Sequence, residues 1–281
     1  MRSHEAGPAP MDRDAGKGWE VARPLAGTSV GGVRMAGFRD RTAVGLDMQV
    51  LPRPAVIVVI GLGDDPFTVE ATPAPGHGPG QQRLSSLVGG MSPGPARIRA
   101  ERVECIEIRL SPRAAYALLG VSPHELDRSV TCLEDLWGSH GRHLREQLAD
   151  APEWQQRLAL MDEFLLDRAE RGPTMSPEVA VTWDHIVARR GRVRIGDLAA
   201  SCGWSRKRLR SRFSAQIGLT PKRAAMLVRF DHAARALRAG ENPAAVALAC
   251  GYVDQPHLHR DVLAFAGCTP GALAVRSTSA G

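Results

Sequence analysis

In the C-terminal part of the chain, apolar residues recur every three or four positions, which is the spacing of an amphipathic helix. Two such stripes are Leu209, Phe213, Ile217 and Leu258, Val262, Phe265. Each stripe follows a Cys-Gly-aromatic turn, at Cys202-Gly203-Trp204 and at Cys250-Gly251-Tyr252, and is followed by Gly-x-Thr-Pro. This repeat, at an interval of about 48 residues, predicts two tandem helix-turn-helix units in which the second helix is the candidate DNA reader.

A longer helix is predicted between the two units, from Pro221 to Ala239, with Gly240 as its stop. Its expected buried stripe is Met226, Phe230, Ala233 and Leu237. At 1.5 Å per residue such a helix is about 27 Å long. A rigid spacer of that length can hold two readers in successive major grooves, which lie about 34 Å apart on one face of DNA.

The front of the chain shows short β-like runs. They are Val30–Phe38, Ala55–Ile60, Phe67–Glu70 and Val103–Leu110, the last alternating from Ile106 to Leu110 around Glu107 and Arg109. The Pro- and Gly-rich segments 1–18 and 71–82 predict a flexible tail and a loop.

Helices are predicted after these strands. Ser111-Pro112 and Ser122-Pro123 are start signals, and Gly120 is a stop signal. A longer helix is predicted over Pro152–Arg171, and its apolar stripe is Trp154, Leu158, Met161 and Leu165. This stripe packs either on the β-rich domain or on a second subunit, and the first arrangement is the commoner one.

The patterns together predict an α+β fold in two domains. A tail at 1–18 precedes a β-rich sensing or dimerisation domain with C-terminal helices at 19–170. A linker at 171–176 leads to an all-α domain of two tandem helix-turn-helix motifs joined by a long helix at 177–274, and a tail follows at 275–281.

Charge divides the two domains unequally. From Pro177 onward the chain holds 16 Lys and Arg against 7 Asp and Glu, a net charge of +9, whereas residues 1–176 hold 20 against 23, a net charge of −3. A basic C-terminal region predicts a polyanion-binding module.

No membrane partner is expected, because the longest apolar run, Ala55–Ile60, is far shorter than the roughly 20 residues that span a bilayer. The N-terminal segment has no apolar core of a signal peptide, so we expect a cytoplasmic protein.

The first reader begins after Ser205, whose hydroxyl can cap the helix. With Leu209 and Phe213 facing inward, the side chains of Lys207, Arg210 and Ser211 share an outward side, so these three are the predicted base-reading residues. Arg210 is the strongest candidate, since arginine matches the two acceptors of guanine. The flanking arginines are predicted to bind phosphates, and they are Arg206, Arg208 and Arg212.

The second reader is predicted to begin after the cap Asp254, with Pro256 in its first turn. Its predicted base-reading residues are Gln255, which pairs well with adenine, His259, and Arg260, which suits guanine or a phosphate. His257 and His259 are two residues apart, and on a helix such side chains do not converge on one metal ion.

Neither a metal site nor a cofactor is predicted elsewhere. The five cysteines are scattered without a C-x-x-C pair, so neither a disulfide framework nor a thiolate zinc site is supported. Cys202 and Cys250 are interpreted as small core residues beside the turns. His77 lies alone in a Gly- and Pro-rich segment, which disfavours a metal-dependent enzyme in the front domain.

The region from Met175 to about Ala274 resembles the DNA-binding domain of the AraC-type (AraC/XylS) transcriptional regulators. The residues that carry the resemblance are Ile195-Gly196-Asp197-Leu198-Ala199, Cys202-Gly203-Trp204-Ser205, Phe213, Gly218–Pro221, Arg229-Phe230 and Gly251-Tyr252 through Phe265 to Gly267-Cys268-Thr269-Pro270. The stretches SPRAAYALLGVSPHEL and LEDLWG further resemble a subgroup with an N-terminal domain of unknown effector.

The resemblance implies a transcriptional regulator with double-stranded DNA and RNA polymerase as partners. It also implies a cupin-like N-terminal barrel that binds a small-molecule effector and forms a homodimer; the ligand residues are unknown. Many family members carry Arg where this chain has Ser211, so the resemblance does not extend to a guanine contact there.

No catalytic residue is expected in such a regulator. Two alternatives to it remain. One is a DNA-repair or other enzyme that uses the same module for delivery, which requires a reactive cysteine in the front domain; Cys105 and Cys132 have no neighbouring ligand pattern. The other is a non-sensing architectural DNA-binding protein, which differs from the regulator only in that it binds no small-molecule effector.

Overall fold

The computed structural model describes residues 18–71, 81–91, 94–120, 126 and 130–275. Within these ranges ten strands form the front part of the molecule. The strands are β1 (Trp19–Ala22), β2 (Val33–Asp40), β3 (Leu46–Val50), β4 (Val56–Gly61), β5 (Phe67–Ala71), β6 (Gln81–Leu84), β7 (Ser86–Gly89), β8 (Ala96–Ala100), β9 (Glu104–Leu110) and β10 (Val130–Cys132).

The strands pair antiparallel in two sheets. Six form one sheet in the order β1-β2-β9-β4-β7-β10, and four form the other in the order β3-β8-β5-β6. Two packed antiparallel sheets are the layer arrangement of jelly-roll and cupin folds.

The predicted strand positions are confirmed with shifted ends at β2, β4, β5 and β9. Val30–Gly32 do not belong to β2, because the Val33 amide donates to the Val30 carbonyl at 3.2 Å and closes a turn. The predicted loop 71–82 is wrong at both ends: Ala71 ends β5, and Gln81 and Gln82 begin β6. Residues 72–80 of that loop lie outside the described residues, as do residues 1–17 of the predicted tail and the start signal Ser122-Pro123.

Strand β9 is buried on both faces. Ile106, Ile108 and Leu110 belong to a hydrophobic cluster that includes the front helices, whereas Cys105 belongs to a second cluster with residues of the other sheet. Its alternating polar residues are therefore also covered. Glu107 and Arg109 are 3% and 7% exposed, and Arg109 Nε donates to Glu107 Oε1 at 3.0 Å.

Three helices follow the sheets: α1 (Pro112–Leu119), α2 (Leu133–Asp150), which is interrupted at Gly138, and α3 (Trp154–Arg171). The Ser111 hydroxyl accepts from the Ala114 amide at the start of α1, and Gly120 ends α1 in the left-handed conformation, as predicted.

The apolar stripe of α3 packs within the chain. Trp154, Leu158, Met161 and Leu165 are all buried, and α3 lies against α1, α2 and β2. Of the two predicted arrangements the structure thus shows the intramolecular one. The helix begins at Trp154, two residues later than predicted.

The C-terminal part is entirely helical within the described residues. Its helices are α4 (Pro177–Ala188), α5 (Ile195–Ser201), α6 (Arg206–Ile217), α7 (Pro221–Arg238), α8 (Pro243–Ala249), α9 (Gln255–Ala266) and α10 (Pro270–Val275). The predicted fold class, a β-rich front part with trailing helices followed by a helical C-terminal part, is confirmed.

The segment between α3 and α4 is packed against the front helices. Arg171 is still part of α3, and Met175 is only 5% exposed. A Cβ atom at Gly172 would lie 2.0 Å from the Ala117 carbonyl oxygen of α1, so the backbone passes α1 closely. Helix α1 also contacts α6, and one hydrophobic cluster continues from the six-stranded sheet into the C-terminal helices. The predicted linker 171–176 is therefore not a free tether.

Candidate DNA-binding surface

The first unit, formed by α5 and α6, is built around a tight turn. Gly203 adopts a left-handed φ of 65°, and the Trp204 amide donates to the Ala199 carbonyl at 2.9 Å. The Ser205 hydroxyl then accepts from the Arg208 amide at 3.2 Å, which confirms the predicted cap of α6. Leu209 and Phe213 are fully buried, so the orientation of the first reader helix is fixed by its core face.

The outward side of α6 is strongly basic. Each of the side chains predicted to contact DNA is exposed, namely Arg206, Lys207, Arg208, Arg210, Ser211 and Arg212. Within the described residues none of the five cations forms an ion pair. The surface therefore presents uncompensated positive charge, which favours binding of an anion.

Two of these arginines have neighbours that set their direction. The Arg208 guanidinium lies 4.7 Å from the centroid of the Trp204 ring, so it is held towards the turn. The Arg206 guanidinium lies over Gly196 at the start of α5, where a Cβ atom would be 2.8 Å from it. No such contact of Arg210 or Lys207 occurs among the described residues, so both remain available to a ligand.

The second unit, formed by α8 and α9, repeats the same construction. Gly251 has a left-handed φ of 73°, and the Asp254 carboxylate accepts from the His257 amide at 2.7 Å, which confirms this cap. Leu258 and Val262 are fully buried. The predicted base-reading side chains are exposed, and they are Gln255, His259 and Arg260.

The two histidines of α9 do not converge. His257 lies edge-on to the Tyr252 ring, with 5.1 Å between centroids, and is half-buried, whereas His259 is exposed. Among the described residues no group of three potential metal ligands occurs.

Helix α7 holds the second reader through three residues that the sequence patterns did not single out for this role. Arg229 of α7 donates to the Asp261 carboxylate of α9 at 3.1 Å, and its guanidinium lies 4.6 Å from the centroid of the Tyr252 ring. Burial, and then the Asp261 carboxylate, raise the pKa of Tyr252 well above its ordinary value, so the ring stays neutral. One signal was present: Asp261 shares a helix face with Leu258 and Phe265, and a carboxylate in an apolar stripe requires a partner.

The connecting helix itself is enclosed. It contacts α4, α6, α8, α9 and α10. Phe230, Ala233 and Leu237 are buried as predicted, and Met226 is half-buried and packs against the same hydrophobic cluster. Neighbours on several sides bury most of α7, including Leu227 and Val228, so a single amphipathic stripe does not describe it.

The surroundings of the two front-domain cysteines favour the protonated thiol. Cys105 is fully buried, and burial together with Glu107 and Glu104 raises the pKa of its thiol well above the ordinary value. Burial and the Glu134 carboxylate also raise the pKa of Cys132. Thiols held protonated are poor nucleophiles, which weighs against the enzyme alternative. Cys202 and Cys250 are half-buried beside the turns, less enclosed than the predicted core residues.

Comparison with known proteins identifies the helical region. Residues 198–276 match the family model described as a helix-turn-helix domain. The match covers less than a third of the chain and shows that this part is a helix-turn-helix domain. None of the curated protein sequences compared with the chain matches it.

Several solved structures are similar to this chain. The C-terminal domain of AraT, a response regulator from Geobacillus stearothermophilus, is 17% identical and has a TM-score of 0.34, over 36% of this chain and 87% of that one. An AraC-type transcriptional regulator from Chromobacterium violaceum is 21% identical and has a TM-score of 0.34, over 37% of this chain and 96% of that one. ToxT from Vibrio cholerae O395 is 9% identical and has a TM-score of 0.48, over 88% of this chain and 98% of that one. Identities and scores this low transfer no ligand and no binding residue to the present chain.

Within the ranges that the structure describes, no helix is both long and apolar enough to cross a bilayer.

Proposed function

We propose that the protein is a sequence-specific DNA-binding transcriptional regulator whose helices α6 and α9 enter two successive major grooves. The observation that carries the proposal is the duplicated construction of the helix-turn-helix domain: each reader is capped at its N-terminus, buried on one face and exposed on the other. An exposed helix that follows a glycine turn is the part of a helix-turn-helix unit that reads base edges.

The base-reading assignment follows from exposure and side-chain chemistry. Arg210 and Lys207 match the acceptors of guanine, Gln255 matches adenine, and Ser211, His259 and Arg260 lie on the same exposed sides. Arg206, Arg208 and Arg212 flank them and are assigned to phosphates, where charge rather than bidentate geometry matters. The contact of Arg208 with Trp204 supports this division, because it directs the guanidinium towards the turn.

The spacing of the readers is set by α7. Its 18 residues correspond to about 27 Å of helix. The Arg229–Asp261 ion pair and the stacking of Phe230 on Phe265, at 4.8 Å between ring centroids, hold α9 on α7. Readers on a rigid connector favour one fixed separation between the two halves of the operator.

The front domain is the proposed sensor of a small molecule. Its helix α1 contacts the reader α6, so a change of packing in the front domain has a direct path to the DNA-binding surface. The finer expectations from the family resemblance belong to the same proposal: contact with RNA polymerase, a homodimer, and a location in the cytoplasm, where the DNA target is.

Selection of bound sequences from random duplexes tests the function. The purified full-length protein is expected to enrich a motif with two blocks whose centres are about 10 base pairs apart. Absence of any enriched motif would overturn sequence-specific recognition. Repeating the selection with a panel of metabolites separates a ligand-responsive regulator from an architectural protein, because only the regulator changes its enrichment or affinity with one of the compounds.

A further inference from the structure

A second cluster of positive charge lies outside the two reader helices. The turn between α4 and α5 reads Arg-Arg-Gly-Arg-Val-Arg over residues 189–194, and we refer to it as the arginine turn. Arg189, Arg190, Arg192 and Arg194 are all exposed. Within the part of the chain that the structure describes, none of these four side chains forms an ion pair or hydrogen bond. Four like charges this close repel one another unless an anion is near.

The arginine turn is held in a disfavoured conformation. Arg190 has a left-handed φ of 51°, which a residue with a side chain seldom adopts, and Gly191 follows with a φ of 74°. The Gly191 amide donates to the Ile186 carbonyl at 2.8 Å and closes the end of α4. A Cβ atom at Gly191 would be 2.1 Å from the Ala225 carbonyl oxygen, so the turn is pressed against α7. The charges are therefore presented on a firm backbone.

The arginine turn lies between the two helix-turn-helix units. It leads directly into α5 of the first unit. The side chain of Arg192 packs on the turn of the second unit, since a Cβ atom at Gly251 would lie 2.4 Å from Arg192 Cδ. The cap Asp254 comes three residues after Gly251, so Arg192 packs on the turn that leads into α9, whose first residues are expected to approach DNA.

We propose that the arginine turn binds phosphates of the DNA backbone between the two major grooves entered by α6 and α9. The inference rests on the proposed function, and it adds a third contact region to the two readers. A protein segment that lies between two reader helices in successive major grooves faces the DNA backbone between those grooves. DNA carries one negative charge per about 1.7 Å of helix axis. Phosphate contacts add affinity and fix register, without preference for bases.

The test compares two full-length variants with the same change of charge. Arg190→Gln/Arg192→Gln removes two charges from the arginine turn. Arg102→Gln/Arg142→Gln removes two exposed charges from the front domain and is the control. Fluorescence anisotropy gives the affinity of each protein for the selected operator and for an unrelated duplex at several salt concentrations, and urea midpoints show that both variants are folded.

The arginine-turn variant is expected to lower the magnitude of the salt slope by roughly 1 to 2 units, about 0.9 per lost phosphate contact. Both duplexes are expected to lose affinity by a similar factor, whereas the control keeps the parent slope. Ethylation interference is expected to lose its signal at phosphates between the two contacted blocks in the arginine-turn variant alone.

Equal slopes for the two variants would overturn the inference. If that result accompanies lower transcription in a reconstituted assay, the arginine turn contacts a protein instead. The proposed function fails separately, when the parent protein itself enriches no sequence.

Discussion

Arg229 of the connecting helix and Asp261 of the second reader helix form a largely enclosed ion pair, with side-chain exposures of 15% and 7%. The pair joins α7 to α9, so it helps to fix the direction of the proposed second reader. It is therefore a structural determinant of the second reader.

Replacing Asp261 with leucine is expected to destabilise the protein by about 3 to 5 kcal/mol, because it leaves the Arg229 charge enclosed without a partner. Urea unfolding measures the change in free energy. Asp167→Ala is the control: it breaks the exposed i,i+4 pair between Asp167 and Arg171 and is expected to cost about 0 to 1 kcal/mol. Equal effects of the two substitutions would show that the buried pair has no special role.

Arg210→Ala is expected to cost about 1 to 3 kcal/mol of binding free energy at the selected operator and to relax the preference at one or two adjacent base pairs. Repeated selection with the variant measures the preference. Arg206→Ala is the matched comparison: it should weaken all sequences alike and lower the salt slope by about one unit. A uniform loss with Arg210→Ala would reassign that residue to the backbone, and an unchanged salt slope with Arg206→Ala would remove its phosphate role.

Acid is expected to weaken the attachment of α3 to the sheet through Glu104. Burial alone would raise the pKa of Glu104, but hydrogen bonds from Arg39 and Arg157 outweigh it and hold the pKa below the ordinary value of 4.5. A lowered pKa means that the carboxylate stabilises the fold above pH 4.5 and that this contribution disappears as the pH falls through the folded-state pKa.

The measurement compares the parent with Glu104→Gln by urea unfolding at about pH 7 and about pH 3. The parent should be the more stable protein at the higher pH, and the difference should shrink at the lower one. A difference that does not depend on pH would contradict the assignment.

Gly37→Ala is expected to destabilise the front domain by about 1 to 3 kcal/mol, as overpacking does. A Cβ atom there would lie 2.4 Å from the Trp154 ring. That ring has little freedom to move. The guanidinium groups of Arg39 and Arg157 lie 5.4 Å and 5.0 Å from the ring centroid, and the ring Nε1 donates to Glu20 Oε1 at 3.1 Å. Gly31→Ala is the control, since a Cβ atom at Gly31 meets nothing within 4 Å. Thermal or urea unfolding that fails to separate the two substitutions would contradict the packing argument.

The elements that local signals define could be predicted from the sequence. A cap, a following apolar stripe and a closing glycine act within a dozen residues, and α1, α6 and α9 carry all three: Ser111, Ser205 and Asp254 are their caps. The exposed sides of α6 and α9 follow from the buried ones by geometry alone.

Strands whose stability comes from neighbours could not be predicted in this way. Strand β8 (Ala96–Ala100) carries two arginines in five residues, and its apolar face is short and mostly alanine, with Ile98 as its one large side chain. Its place in the sheet depends on cross-strand partners, because Arg97 and Arg99 pair with Asp47 of β3 and with Glu70 of β5. The same reason applies to the half-burial of Met226, which the helices around α7 decide. For Asp261 the local pattern shows a carboxylate on an apolar helix face, but not that Arg229 of α7 is its partner.

The predicted division of the chain before α4 leads to the last test, in which a fragment that begins at Met175 is expected to fold and to bind the selected operator. Ile186, Phe213 and Phe230 are fully buried, and the helices that carry them, α4, α6 and α7, contact one another. The Ser176 amide and hydroxyl both donate to Gln216 Oε1 of α6 at 3.0 Å, so the start of the fragment is tied to the reader.

The fragment is expected to be less stable than the full chain, because the surface of α6 that α1 covers becomes exposed. Circular dichroism, urea unfolding and anisotropy with the operator measure folding and binding. A shorter fragment that begins at Arg194 lacks α4 and its buried Ile186, and it should fail to fold. Insolubility or loss of binding in the longer fragment would show that the helical part depends on the front domain, and the contact between α1 and α6 would then be a requirement of the fold.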